Sequence, residues 1–218
     1  MNARARRLDG IFTPTLANFS LRLIASDPTR FPPTEGSRFL PKLWNKAWNI
    51  IAGHPVTERE IELQLAAATA LKTYVHEAYE RDIPILTGTD TLMPWVVPGE
   101  ALHLELEAIA NAVNSPEKAL VSATKVNAAH IAPNTIGLLA FGRRADILLL
   151  PSDPRRQLGT LMEWKYVMVN GRLYDRETID NWLERYRMHF RGGYYETVMG
   201  TLINLIAGQF SHTGAENE

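Results

Sequence analysis

A helix that runs straight into a strand constrains this chain more than any other feature. From Thr57 to about Arg81 the apolar residues Ile61, Leu65, Ala68, Leu71, Val75 and Ala78 recur at three- and four-residue steps, which lays one buried stripe along a helix. Thr57, followed three positions later by Glu60, forms a capping box that starts it. Asp82 leads directly into Ile83-Pro-Ile-Leu-Thr87, a short apolar strand, and then into Gly88-Thr-Asp-Thr91. A loop through Pro94 and Pro98 follows, then a helix from about Gly99 to Val113 with Leu102, Leu106, Ile109 and Val113 on one face. Helix, strand, loop and helix in this order predict the α/β class.

Other segments extend the pattern. Ile11-Phe-Thr-Pro-Thr-Leu16 reads as a second buried strand, with Pro14 near its end. The stretch Ser26 to Pro41, rich in Pro, Thr and Gly, reads as a loop. Ser115-Pro116-Glu117 opens a helix that runs to about His130, with Ser as N-cap and Pro at the first helical position. Beyond it, Ile136–Phe141, Asp146–Leu150 and Lys165–Val169 are strand-like, and Val169-Asn-Gly-Arg172 is a type I′ hairpin signal into Arg172-Leu-Tyr174. Two helical runs close the chain, one after Asp175 and one near Tyr194. In the second, Tyr195, Val198, Met199, Leu202, Leu205, Ile206 and Phe210 form an apolar stripe without a basic polar face, expected to dock on the body or a partner.

At 218 residues and 45% hydrophobic, the chain can bury a core for one large domain, or one domain with an appendage. Formal net charge is -1 with both signs interspersed, so neither nucleic acid nor an anionic membrane is an expected partner. The absence of cysteine excludes disulfides, thiolate metal sites and a cysteine nucleophile, so a metal would be held by His, Asp or Glu. The basic start Met1–Arg7 is followed by Asp9, Gly10 and Pro14 instead of an apolar stretch, so no signal peptide is expected. No apolar segment reaches the roughly 18 residues of a membrane span, and the expected compartment is the cytoplasm. Asn18-Phe19-Ser20 matches a glycosylation sequon, read here as chance.

The candidate chemistry lies where the strand Ile83–Thr87 delivers Asp90 near its C-terminal end, the end that faces the active site in parallel α/β barrels. Gly88 permits close backbone approach, and Thr89 and Thr91 are placed to orient the carboxylate. An Asp in this position is either a catalytic group or a loop and cap residue. Met93 and Trp95 in the loop beyond can line a substrate pocket or seal its rim. Thr13 and Thr15 mark the tip of the other strand. His103 on the following helix is read as structural in preference to a ligand, and His76 as a helix-surface residue, since His76-Glu77 with Glu80 lacks the second histidine of a zinc-protease helix.

Four segments together resemble a known family. They are Thr13-Pro-Thr-Leu16; Ile83-Pro-Ile-Leu-Thr-Gly-Thr-Asp90; Pro98-Gly99 with Leu102-His-Leu-Glu-Leu106; and a last group that begins at Ser115-Pro-Glu-Lys-Ala-Leu120. This group continues through Ala123-Thr124, Asn127-Ala128-Ala129, Gly137, Gly142, Ala145-Asp146 and Tyr166-Val-Met-Val-Asn-Gly171. In order and spacing they resemble the amidohydrolase superfamily, its imidazolonepropionase-like and prolidase-like members in particular, over about residues 8–176.

The resemblance implies the C-terminal part of a (β/α)8 barrel, with its last two strands and their helices over residues 1–132, then a β-sandwich portion over 133–175 and a helical tail over 176–218. It implies hydrolysis of a small-molecule substrate at a carbon–nitrogen bond by water activated on one or two divalent ions, usually zinc. In that scheme Asp90 contacts the metal or its water, takes the water's proton and passes it to the leaving nitrogen. Asp146 matches an Ala-Asp dipeptide with a role in turn or sheet geometry. The family's His-x-His pair, bridging ligand and single histidines precede the seventh strand. None of His54, His76, His103, His130, His189 and His212 forms such a pair. Two strands cannot close a barrel and would leave backbone edges open, so the expected partners are a missing N-terminal portion or a second copy of the chain. The alternative expectation is a non-catalytic remnant or interaction subunit.

Overall fold

The computed structural model describes residues 10–26, 30–31, 33–52, 56–91, 93–190, 193, 195 and 197–204. Within them the chain is mostly helical, with one small antiparallel sheet. Its α-helices are α1 (Leu16–Ser26), α2 (Lys42–Ala52), α3 (Glu58–Glu80), α4 (Glu100–Val113), α5 (Pro116–Val121), α6 (Asn127–Ile131) and α7 (Arg176–His189). A π turn, Ser122–Val126, joins α5 to α6. The sheet has the order β1 (Ile147–Leu149), β2 (Tyr166–Val169), β3 (Arg172–Asp175).

Local chemistry explains most boundaries. The Thr57 side chain accepts from Glu60 N while Glu60 reaches back to Thr57 N, so the capping box starts α3 as expected. Ser115 accepts from Lys118 N with Pro116 in the first turn, which starts α5. At the hairpin, Asn170 and Gly171 both adopt positive φ, 51° and 77°, the signature of a type I′ turn. Asp175 accepts from Thr178 N and starts α7. The ring of Trp182 on α7 meets Tyr174 of β3 at 5.0 Å, so α7 packs against the β3 edge of one face of the sheet.

The two expected barrel strands shrink to a single contact. Phe12 and Ile85 form a parallel bridge, in which Phe12 N donates to Pro84 O at 2.9 Å and Leu86 N donates to Phe12 O at 2.8 Å. The segment from Ile11 does not stay extended to Leu16, because Thr15 turns left-handed (φ 49°) and Leu16 already begins α1. The far edge of the strand around Ile85 is not left bare. Ser122 Oγ donates to Ile85 O at 2.6 Å, and the Asn127 amide both accepts from Thr87 N and donates to Thr87 O, each at 2.9 Å. One asparagine side chain thus takes the place of a strand's peptide group.

Three further expectations are corrected. Ile136–Phe141 forms no strand but a bend followed by irregular chain, with Leu139 80% exposed and Phe141 fully exposed; without a partner ladder, an apolar run has nothing to pair with. The Ser26–Pro41 segment contains a 3₁₀ turn, Glu35–Phe39, and α2 follows it. On α4 the buried face is Ala101, Glu105, Leu106, Ile109, Ala110 and Val113, with Leu102 outside it at 40% exposure. A carboxylate occupies a position that an apolar pattern skips, which rotates the face.

Two apolar clusters meet at α1. Leu16 belongs to one with Val75, Ala78, Ile83, Ile85 and Ile109, which Leu158 and Leu161 from the sheet region also join. Ala17, Leu21 and Ile24 belong to the other with Trp48, Trp95, Val96 and Val97. The Asp90 loop is the chain that passes from Ile85 in the first to Trp95 in the second. Of the tail stripe, Leu205, Ile206 and Phe210 lie outside the described residues, as do His54, His212 and Tyr194; Val198 and Leu202 are exposed. Among the described residues no helix is long and apolar enough to cross a membrane.

Candidate functional site

The bridge between Phe12 and Ile85 aligns two strand tips side by side. Beyond it the chains run so close that a Cβ built on Gly88 would stand 2.7 Å from Thr13 Cγ2, and this approach is what the glycine provides. Asn127 and Ser122 hold the strand from behind, with Thr87 Oγ1 and Ser122 Oγ 2.9 Å apart. Three residues past Thr87 stands Asp90, exposed and left-handed at φ 54°. Asp tolerates that region better than most side chains, but at some cost.

The Asp90 carboxylate is held from α1. Asn18 Nδ2 donates to Asp90 Oδ2 at 2.8 Å, and Asn18 is itself buried, with its Oδ1 unpartnered. Burial and this bond make the sequon asparagine a structural group. The threonines flanking Asp90 act differently from expectation: Thr89 Oγ1 and Thr91 Oγ1 bond each other at 2.7 Å. Met93 is half-buried against the second cluster. Trp95, also at positive φ (68°), is buried within that cluster 5.5 Å from the Trp48 ring, with its Nε1 unpartnered. The indole therefore seals the loop from beneath.

Glu105 was invisible as a site residue and is the most unusual group in its surroundings. It is wholly buried on α4, and its Oε2 accepts from Ala17 N at 2.7 Å. Burial pushes its carboxyl up to about 7, against the pull of the Ala17 and Leu16 amides. Oε1 has no partner. Its neighbour His103 is held below the ordinary imidazole range by burial, opposed by Glu107 and Glu100. His76 spends Nδ1 on Ala112 O at 3.0 Å, tying α3 to α4, and His130 Nδ1 lies 2.9 Å from Val126 O. Asp146 accepts from Asn170 N at 2.8 Å and from Arg144 at 2.6 Å, which anchors the hairpin turn. Among the described residues no three His, Asp or Glu side chains gather to hold a metal ion.

No protein-family profile matches the sequence, and no curated protein sequence matches it either. Solved structures do match. A bottromycin amidohydrolase aligns with TM-score 0.65 at 21% identity over 83% of this chain and 40% of its own. An Xaa-Pro dipeptidase with methionine bound in its active site aligns with TM-score 0.54 at 19% identity over 80% and 38%. A prolidase complexed with N-methylphosphonate-L-proline aligns with TM-score 0.54 at 16% identity over 79% and 36%. In fold, this chain resembles a portion of the amidohydrolases and prolidases, spanning well under half the length of each.

Proposed function

We propose that the chain is part of a metal-dependent hydrolase of carbon–nitrogen bonds, in amides, cyclic amides or dipeptides, and that it is inactive without the rest of the catalytic unit. In this reading residues 1–132 contribute the last two strands and helices of a (β/α)8 barrel, 133–175 a part of a β-sandwich and 176–218 a helical tail. The observation that carries it is the parallel bridge between Phe12 and Ile85, followed at the second strand's tip by an exposed carboxylate in a strained backbone conformation and anchored by Asn18. The likeness to structures of an Xaa-Pro dipeptidase and a prolidase supports a dipeptide among the substrates.

The described residues do not by themselves fit the divalent metal, zinc foremost, that such a hydrolase uses. Its remaining ligands would come from outside them. What this chain supplies is proton handling: Asp90 accepts a proton from the attacking water and returns it to the leaving nitrogen, a contribution of about 10²–10⁴-fold. Thr91 and Met93 stand next to Asp90 on the substrate side of this reading, with Trp95 beneath.

The test combines this chain with the polypeptide encoded upstream of Met1 and assays hydrolysis of an Xaa-Pro dipeptide with added zinc. Activity that depends on both polypeptides, and falls at least about 100-fold in Asp90→Asn, is expected. The substitution keeps shape and tolerates the left-handed conformation, so an undiminished rate removes Asp90 from the chemistry. A second reading, an interaction subunit without chemistry, is favoured by the exposed apolar Leu139, Phe141 and Leu173, and stands if no upstream polypeptide confers activity.

A further inference from the structure

We propose that Glu105 is a positioning residue for Asp90, acting through the first turn of α1 and Asn18. The inference rests on the reading of Asp90 as the proton-transferring carboxylate. Glu105 occupies a wholly buried position on the face of α4 that packs against α1, where an apolar side chain would cost less desolvation. Its Oε2 takes the Ala17 amide at 2.7 Å across 88 positions of sequence. That amide is one of the donors a helix start leaves unsatisfied, so the position of α1's first turn is set from α4.

Asn18 is the next residue along. One peptide separates the amide that Glu105 grips from the side chain that grips Asp90 at 2.8 Å, and any rotation of the first turn passes to both. The orientation of the Asn18 amide is fixed by charge: turned over, it would set Oδ1 against the Asp90 oxygen in place of a donor. Asp90 needs an external anchor, because it sits in an exposed loop at positive φ and its threonine neighbours bond each other. Glu105, Ala17, Asn18 and Asp90 thus form one mechanical line from the interior to the exposed carboxylate.

The reporter is the Asn18 side-chain amide in a ¹⁵N–¹H spectrum of the full chain. Asp90→Ala sets its position when the bond is lost. Glu105→Leu is expected to move the signal in the same direction, and Glu105→Gln, which keeps an oxygen for Ala17, to leave it at the wild-type position. If the leucine variant fails to fold, Glu105→Asp withdraws the acceptor by one methylene, and the same shift is expected. An Asn18 signal unmoved in a folded Leu or Asp variant, or unmoved in Asp90→Ala, overturns the proposal. Hydrolysis by Asp90→Asn answers the separate question of whether Asp90 is catalytic, so either idea can fail without the other.

Discussion

Glu105 makes stability depend on pH in a direction opposite to that of most carboxylates. Its folded-state value of about 7 lies above the ordinary 4.5, so between those values the folded chain holds a proton that the unfolded chain has released. Stability from this group is therefore full below about 4.5 and is lost as pH rises through about 7. The loss amounts to roughly 3 kcal/mol for a wholly buried group. Glu105→Gln cannot titrate and keeps the acceptor for Ala17. Urea unfolding at pH 5 and pH 8 is expected to show the wild type weakening against the Gln variant by that order. Equal shifts in both proteins would place the titration elsewhere.

At the scale of elements, the strand that carries Asp90 depends on a π turn. In an α-helix positions five apart diverge by roughly 140°, which would send Ser122 and Asn127 to different faces. The extra residue in the π turn Ser122–Val126 turns them toward the same strand, where they meet Ile85 O and both polar groups of Thr87. Asn127→Ala leaves a buried peptide group unpaired at both ends and is expected to cost about 1–3 kcal/mol. Faster hydrogen exchange at Thr87 should accompany it; an unchanged Thr87 amide would show that the lock is not formed in solution. This is also the kind of element that sequence pattern conceals. The capping box at Thr57, the Ser115 start and the Asn170-Gly171 hairpin were legible because each is decided by residues within a few positions of one another. The start of α1 is not legible in this way, because its cap comes from Glu105, and on α4 Leu106, Ile109 and Val113 are buried as expected while that same carboxylate, not Leu102, completes the face. The Asp90 loop was found from the strand and glycine before it, while its anchor Asn18 lay hidden in a helix whose start the strand reading had covered.

For the whole molecule, the sheet is apolar on both faces, and α7 packs on only part of one, since Leu148 and Val169 on the Tyr174 face are themselves exposed. Tyr174 and Trp182 pack where α7 crosses. On the other face the register aligns Leu149 with Tyr166 and Met168 with Leu173, and Leu149, Tyr166 and Leu173 are exposed. Outside the sheet, Phe141 is fully exposed and Leu139 is 80% exposed. A sheet face of this composition is ordinarily buried against another layer. The isolated chain is therefore expected to bind a hydrophobic dye and to associate as its concentration rises through the micromolar range. Phe141→Ser and Leu173→Thr should reduce both signals while shifting the urea midpoint by no more than about 0.5 kcal/mol equivalent, since these side chains contribute little to the chain's own core. Sedimentation as a concentration-independent monomer without dye binding would mean the open face is tolerated in water. A large loss of stability in the two variants would mean it is already packed within the chain.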